Sequence, residues 1–206
     1  MIDVSRIDAI VVGGSAGAFT ALKVLVPALP AALHVPVLIV VHVPEDRPSA
    51  VAQLFSHETR LRVKEADDKE RLEPGTVYFA PPGYHLLVEW DRSAALDAGE
   101  PRHFSRPSID VLFESAADVF GSRLLAVILS GASADGAAGL KAVGLRGGIT
   151  IVQQPATAEH PLMPNAAIAA HPPTAILPLD EVARLFGTLG AGLASGDTSR
   201  SGARHA

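Results

Sequence analysis

The sequence predicts an α/β fold, a doubly wound and mostly parallel sheet flanked by helices, with a small β-hairpin appendage. The first observation is that short apolar runs recur along the 206 residues, each followed by a Gly- or Pro-rich turn and then a helix-like stretch. The second is that hydrophobic residues make up 48% of the chain but aromatic residues only 5%. Ala, Val, Leu and Ile must therefore fill the core, as they do in buried parallel sheets.

The N-terminal part of the chain predicts two strands and two helices. Ile7–Val12 is an apolar run that predicts the first strand, and a Gly-rich turn at 13–17 ends it. Ala18–Leu29 follows with helical periodicity. Val35–Val41 is a second unbroken apolar run, and Ser49–Ser56 can form a short helix.

The middle of the chain predicts a different local structure. Thr76–Ala80 and His85–Trp90 are strand-like runs joined by the turn residues 81–84, which predicts a hairpin beside the main sheet. Further on, Ser108 precedes the helix-like stretch Ile109–Phe120. We expect the Ser108 hydroxyl to cap this helix by accepting a backbone N–H of its first turn.

The C-terminal part returns to alternating strands and helices. The predicted strands are Leu124–Leu129, Ile149–Val152 and Ala175–Leu177, and the predicted helices are Ala137–Leu145, Asn165–Ala170 and Leu179–Leu189. Residues 191–206 are rich in Gly, Ser, Arg and Ala and lack periodicity, which predicts a disordered tail. We therefore expect one folded domain over residues 1–190.

Composition excludes several classes of function. The chain carries 17 basic and 22 acidic residues, a net charge of −5, and no Lys/Arg-rich run, which argues against nucleic acid as a partner. It has no Cys, so disulfides, thiol nucleophiles and thiolate metal sites are excluded. The apolar runs are too short for membrane insertion, and the eight His show no spacing typical of a metal site. A cytoplasmic protein without a metal is expected.

The first motif that carries chemistry is a Gly-x-Ser-x-Gly turn centred on Ser15, between the first strand and the first helix. Such a turn can hold a nucleophilic hydroxyl above the sheet edge, near the positive end of a helix. A Gly-rich turn of this kind is as often a phosphate cradle, so an FAD- or NAD-binding domain is the alternative. The dinucleotide fingerprint, however, requires Gly where Ser15 stands, and an acidic residue where the second strand ends in His42.

Two further strand ends supply the other groups of a catalytic triad. His42 follows the second strand, and Asp135 lies in the turn after Leu124–Leu129. Alone, His42 could be a surface histidine and Asp135 a helix N-cap. Because carboxyl ends of parallel strands share one edge, a hydroxyl, an imidazole and a carboxylate come together there. This is the set that a nucleophile, its base and an orienting anion require.

At these turns the sequence resembles the catalytic domain of the CheB methylesterases, from about Ile7 to Leu189. The resemblance is carried by short motifs in matching order: Gly14-Ser15-Ala16-Gly17, His42-Val43-Pro44, Leu72-Glu73-Pro74-Gly75-Thr76-Val77-Tyr78, Ala80-Pro81-Pro82-Gly83, Arg106-Pro107-Ser108-Ile109-Asp110-Val111-Leu112-Phe113, Ile128-Leu129-Ser130-Gly131, Asp135-Gly136-Ala137-Ala138-Gly139 and Met163-Pro164. It implies a protein-glutamate methylesterase that demethylates glutamyl methyl esters on chemoreceptor cytoplasmic helices, with deamidation of glutamines in some members. No cofactor is implied.

The resemblance also implies roles for individual residues. Ser15 would be the nucleophile, His42 the base and Asp135 the carboxylate of the triad. Backbone N–H groups near Ala16, Gly131 and Ala132 would form the oxyanion hole. Two more positions, Arg106 and Met163, would contact the substrate. A non-enzymatic signalling module on the same fold remains the other alternative.

Three departures from the family pattern carry consequences. Relatives commonly have Thr at position 16, where its hydroxyl helps to orient the histidine, but this chain has Ala16. Relatives usually have Met at position 132, where this chain has Ala132. The receiver domain that precedes the catalytic domain in relatives is expected to be absent. Activity is then expected to be independent of a phosphodonor, unless a separate receiver protein acts in trans.

Overall fold

The computed structural model describes residues 2–42 and 50–189. Its strands are β1 Ala9–Gly14, β2 Val37–Val41, β3 Arg62–Glu65, β4 Thr76–Phe79, β5 His85–Val88, β6 Ala94–Asp97, β7 Leu124–Ile128, β8 Ile149–Gln153 and β9 Ala175–Leu177. Its α-helices are α1 Ala18–Ala28, α2 Val51–Ser56, α3 Ile109–Phe120, α4 Ala137–Leu145, α5 Leu162–Ala170 and α6 Leu179–Gly187. None of these helices is long and apolar enough to cross a membrane.

A parallel sheet organises the molecule. Within the described residues, seven strands pair in the order β3-β4-β2-β1-β7-β8-β9, and every pairing is parallel. Helices cover both faces, because α1, α2 and α6 pack into one core cluster and α3, α4 and α5 into another. Alternate residues of β1 feed the two clusters, Ile10 on one side and Val11 on the other. The predicted doubly wound α/β fold is confirmed.

The central strand β1 lies where the winding of the sheet reverses. From β1 the chain first builds β2, β3 and β4 on one side, and later β7, β8 and β9 on the other. Loops diverge at such a switch point, and ligands of open α/β sheets bind there, outside the carboxyl ends of the strands. The strands β2, β1 and β7 are adjacent, so the turns that follow them meet at this edge.

The predicted hairpin exists, but its strands are different from those expected. Thr76–Phe79 is an interior strand of the main sheet, parallel to both β2 and β3. The hairpin instead pairs β5 with β6, antiparallel, through a turn at Glu89–Ser93. Pro81 and Pro82 have fixed φ and no N–H, which suits a crossover loop better than a tight two-strand turn. Strand β3, whose residues are charged and partly exposed, gave no apolar signal.

The remaining boundaries agree with expectation to within a few residues, except where glycine extends a strand. β1 continues through Gly13, which pairs with Val40 on one side and Ile128 on the other. A Cβ at Gly13 would lie 2.3 Å from Cγ2 of Ile109, so glycine lets the start of α3 approach the sheet closely. The tail predicted for residues 191–206 lies outside the described residues, so it stays a prediction, as does the boundary of the domain.

Candidate active site

Ser15 lies in the sharp turn between β1 and α1. Gly17 has φ of +79°, which favours glycine, and the Ser15 carbonyl accepts the N–H of Ala18 at 2.9 Å. The Ser15 N–H donates to the carbonyl of Ser130 at 2.9 Å, which joins this turn to the loop after β7. That N–H is therefore not available to cradle a phosphate. The turn holds Ser15 partly exposed at the carboxyl edge of β1.

His42 lies beside Ser15 because of the register of the sheet. Gly14 pairs with Val41, and the His42 N–H donates to the Gly14 carbonyl at 3.3 Å. Ser15 and His42 are thus the next residues along two adjacent strands, which lie about 4.8 Å apart in a sheet. Val43 and Pro44, which follow His42 in the family motif, lie outside the described residues.

His42 forms a direct ion pair with Asp135. The distance from Nε2 of His42 to Oδ2 of Asp135 is 2.8 Å. The carboxylate is fully buried, while the imidazole keeps 14% of its side chain exposed. A carboxylate can only accept, so Nε2 of His42 carries the hydrogen, and Nδ1 of the neutral ring is the acceptor that can take a proton. Nδ1 is therefore the ring atom through which His42 could act as a base.

Asp135 is held by the N-terminus of α3. Its oxygens accept hydrogen bonds from the Ser108 hydroxyl at 2.8 Å, the Ile109 N–H at 2.7 Å and the Asp110 N–H at 3.1 Å, besides His42. Burial alone would raise the pKa of Asp135, but these hydrogen bonds outweigh it and lower the pKa below its usual value. Asp135 is therefore an anion, which can stabilise a positive charge that develops on His42.

The cap of α3 differs from the one predicted. Ser108 makes no capping bond to its own helix; its hydroxyl donates to Asp135 instead. The Asp135 carboxylate takes the place of the cap, because it accepts two N–H groups of the first turn of α3. A buried carboxylate is a stronger acceptor than a hydroxyl, so one residue both caps α3 and orients His42.

Ser105 is a residue that sequence reasoning missed. Its Oγ lies 3.3 Å from Nδ1 of His42, the ring nitrogen that does not face Asp135. Within residues 2–42 and 50–189, by contrast, the Ser15 hydroxyl makes no hydrogen bond. Ser15 and His42 are adjacent because their strands pair in register, and no hydrogen bond joins their side chains. Ser105 is therefore the hydroxyl at hydrogen-bond distance from the imidazole among the described residues. Ser105 can orient the ring, which is the task that Ala16 cannot perform.

Two backbone donors remain available near Ser15. The Ser130 hydroxyl donates to the Ala16 carbonyl at 2.8 Å, so the loop after β7 is bonded to the nucleophile turn. The Gly131 N–H is committed to the His160 carbonyl at 3.0 Å. In the part of the chain that the structure describes, no acceptor is bonded to the N–H of Ala16 or of Ala132. These two are the better candidates for an oxyanion hole, with Gly131 as a support.

The two residues predicted to contact substrate have structural contacts in this site. The Arg106 guanidinium donates to the carbonyls of Ala98 and Gly99, each at 2.8 Å, and so fixes the loop before α3. Met163 is buried, and its N–H donates to the Gly131 carbonyl at 2.9 Å. Both residues therefore shape the loops around the triad, and a direct contact with substrate stays a prediction.

A buried layer behind the triad was also missed. His85 accepts the Ser108 N–H through Nδ1 at 3.1 Å, and its Nε2 donates to the Glu100 carbonyl at 3.0 Å, so it fixes the residue that holds Asp135. Asp110 is buried, accepts the Gly139 N–H at 2.6 Å and lies 3.2 Å from Nε2 of His103. Burial raises the pKa of Asp110. No spacing in the sequence signals this layer.

A cation could be held by three side chains, those of His103, Asp110 and Asp135, because their ligand atoms lie within 4.8 Å of one another. Hydrogen bonds already occupy both oxygens of Asp135. A cation there would have to break bonds that orient the triad. Nε2 of His103 lies 3.2 Å from Oδ2 of Asp110, so these two groups contact each other directly.

The comparison with protein families decides the affiliation of the chain. Residues 10–186 match the family model described as CheB methylesterase. The chain belongs to the CheB methylesterase family. The matched region contains the turns of Ser15, His42 and Asp135, and the resemblance inferred from the motifs is confirmed.

Curated relatives agree with this assignment. A Leptospira interrogans protein, provisionally named protein-glutamate methylesterase/protein-glutamine glutaminase, is 44% identical over 179 residues, which cover 87% of this chain and 93% of that protein. Protein-glutamate methylesterase FrzG of Myxococcus xanthus is 38% identical over 173 residues, covering 84% of this chain. The chain spans about half the length of FrzG, since the match covers 52% of it.

A solved structure also matches. The crystal structure of the Thermotoga maritima CheB methylesterase catalytic domain has a TM-score of 0.81 and 30% identity to this chain. The match covers 87% of this chain and 98% of the Thermotoga chain. The whole sheet and its flanking helices are therefore those of a CheB methylesterase catalytic domain.

Proposed function

We propose that this chain is a serine hydrolase that demethylates glutamyl methyl esters on a protein substrate. The observation that supports it most is the buried Asp135 anion bonded to His42 at 2.8 Å, beside Ser15, in a chain of the CheB methylesterase family. An ester carbonyl needs a nucleophile, a base and a donor for the oxyanion, and this edge offers all three.

The proposed mechanism follows from the hydrogen bonds of the site. Nδ1 of His42 takes the proton of Ser15 as its Oγ attacks the ester carbonyl, and Asp135 stabilises the imidazolium. The N–H groups of Ala16 and Ala132 hold the oxyanion. Collapse of the tetrahedral intermediate releases methanol, protonated by His42. Water, deprotonated by the same imidazole, then attacks the acyl-enzyme, and glutamate is released as Ser15 regains its proton.

The proposed substrate is a methylated helix of a chemoreceptor cytoplasmic domain, and the enzyme would act in the cytoplasm. Relatives carry the names protein-glutamate methylesterase and protein-glutamine glutaminase, which supports this substrate and adds glutamine deamidation as a second reaction. Both reactions attack a glutamyl carbonyl through the same acyl-enzyme. A separate receiver protein that acts in trans stays a prediction.

The direct test is release of labelled methanol from a receptor fragment methylated with a radioactive methyl group. The purified chain is expected to release methanol and to leave glutamate, which mass spectrometry detects. A serine-directed phosphonate is expected to block release and to label the protein. Absence of both release and labelling would favour a non-enzymatic module. Labelling without release would instead mean a serine hydrolase with a different substrate.

Hydrolysis is expected to fall as the medium becomes acidic, because protonated His42 cannot accept the Ser15 proton. This fall forms the acid limb of the pH profile of kcat/KM. Asp135 does not set it, because hydrogen bonds hold the pKa of that carboxyl below its usual value of 3.8. The measurement is kcat/KM against pH under conditions where chemistry limits the rate. A rate that stays flat until pH 4 would show that no histidine acts as base.

A further inference from the structure

The turn at residues 102–105 has an unusual backbone. Arg102 and Ser105 exchange two backbone hydrogen bonds, of 3.1 and 2.9 Å, across the turn. His103 and Phe104 between them have φ of +51° and +60°. Turns with two central residues of positive φ normally use Asn and Gly, because a bulky side chain is unfavourable there. Unfavourable backbone of this kind persists where surrounding contacts enforce it, and it concentrates at functional sites.

Contacts on three sides enforce this turn. The Arg102 guanidinium makes a bidentate pair with Glu114 on α3, at 2.6 and 2.8 Å. His103 pairs with the buried Asp110 at 3.2 Å. Ser105 reaches the base His42 at 3.3 Å. The turn is therefore a rigid projection from the active site.

Phe104 is the most exposed residue of this rigid turn, in which His103 is also exposed but contacts Asp110. Its relative exposure is 104%, so the ring packs against nothing in the described part of the protein. An aromatic ring on an unfavourable backbone, fully exposed, stabilises the fold in no evident way. Phe104 immediately precedes Ser105 in the sequence, and Ser105 contacts the proposed base His42. Exposed apolar groups at such a position are typical of a binding surface.

Two further exposed apolar residues adjoin this edge of the sheet, one in the loop after β4 and one at the start of α5. Tyr84, 44% exposed, follows β4 and precedes His85, which is bonded to Ser108. Leu162, 51% exposed, precedes Met163, which is bonded to Gly131. Phe104, Tyr84 and Leu162 form what we call the apolar rim, three exposed apolar residues that each adjoin in sequence a residue bonded to the loops of the site. A small ester would not need such a rim, whereas a helix with an apolar stripe could pack against it.

We propose that Phe104 is a specificity-determining residue that anchors the substrate polypeptide, packing against apolar side chains of a helix next to the modified glutamate. This inference rests on the proposed function and names the feature of the substrate that the site recognises. Aromatic anchors dominate many interfaces, and a turn that is already rigid loses little entropy on binding. Substrate selection by this residue is then separate from the chemistry at His42.

The experiment compares two substrates and matched variants of the full chain. Phe104→Gly removes the ring and favours the backbone at φ of +60°, while Phe104→Tyr keeps the ring. Trp90→Ala is the control, because Trp90 is 77% exposed in the hairpin turn whose Arg92 pairs with Asp8, before the amino end of β1. The substrates are a methylated receptor fragment and p-nitrophenyl acetate.

Phe104→Gly is expected to raise KM for the receptor fragment by roughly tenfold. Hydrolysis of p-nitrophenyl acetate should stay within about twofold, and Phe104→Tyr and Trp90→Ala should behave as wild type. Equal slowing on both substrates would overturn the inference, since Phe104 would then act through the triad. Unchanged kinetics on the receptor fragment would overturn it as well. If the wild type fails on the receptor fragment but hydrolyses the small ester, the proposed function fails instead.

Discussion

Ser15→Ala is expected to abolish ester hydrolysis, with a loss on the order of 10⁴-fold or more, because removal of a nucleophile leaves only binding and the oxyanion donors. Ser15 is partly exposed and its hydroxyl makes no hydrogen bond within the described residues. The free energy of unfolding should therefore change by no more than about 1 kcal/mol. Single-turnover assays with labelled methyl ester measure the first effect, and urea unfolding measures the second.

Ser105→Ala is the matched control, because its hydroxyl is the one at hydrogen-bond distance from His42. Ser15 is favoured as nucleophile because it lies where β1 meets α1, joined to the loop that contains Ala132, while Ser105 lies on an exposed turn. Loss of one neutral hydrogen bond to the base should slow Ser105→Ala only about fivefold to tenfold. If Ser105→Ala abolishes hydrolysis and Ser15→Ala does not, Ser105 is the nucleophile. Phosphonate labelling followed by peptide mapping identifies the serine independently.

Much of the fold could be predicted because its strands are buried on both faces. Runs such as those in β1, β2 and β7 are continuous and apolar, and in the sequence Gly17 follows β1, Pro44 follows β2 and Gly131 follows β7. Strand β3 gave no such signal, because it lies at the edge of the sheet and its side chains are partly exposed. The partners of the hairpin could not be assigned either, since two short runs joined by a turn fit a hairpin and a crossover equally well.

The triad residues could be placed at one edge because strand order alone brings their turns together. The hydrogen bonds around these residues could not be predicted from the sequence. Ser108 and Asp135 are 27 residues apart, and His85 and Ser108 are 23 apart, so these contacts depend on how α3 packs against the loop after β7. Ser105 stood in a segment without a motif of its own, and only its position beside His42 reveals it. Local sequence patterns predict elements, whereas tertiary packing determines which donor meets which acceptor.

Asp135→Asn is expected to reduce hydrolysis by about 10³- to 10⁴-fold, because an amide no longer fixes the tautomer of His42 or stabilises its imidazolium. It should also destabilise the fold. Asp135 accepts hydrogen bonds from His42, Ser108 and two N–H groups of α3, and the NH₂ of an asparagine cannot accept any of them. At least one buried donor is left without an acceptor, which costs about 1–3 kcal/mol.

The pH dependence of this loss of stability distinguishes the contribution of the Asp135 charge from the contribution of side-chain packing. Because the pKa of Asp135 is lowered in the folded protein, its contribution to stability is present above the usual pKa of 3.8 and is lost as the pH falls through the folded-state pKa. The stability gap between wild type and Asp135→Asn should therefore be full at pH 7 and shrink below about pH 4. Asp118→Asn is the control, since Asp118 makes an exposed pair with Arg146 and should change stability by less than about 0.5 kcal/mol. If urea unfolding shows the same gap at pH 7 and at a pH well below 3.8, the charge of Asp135 contributes nothing. The anchoring of the triad to α3 would then have to rest on packing alone.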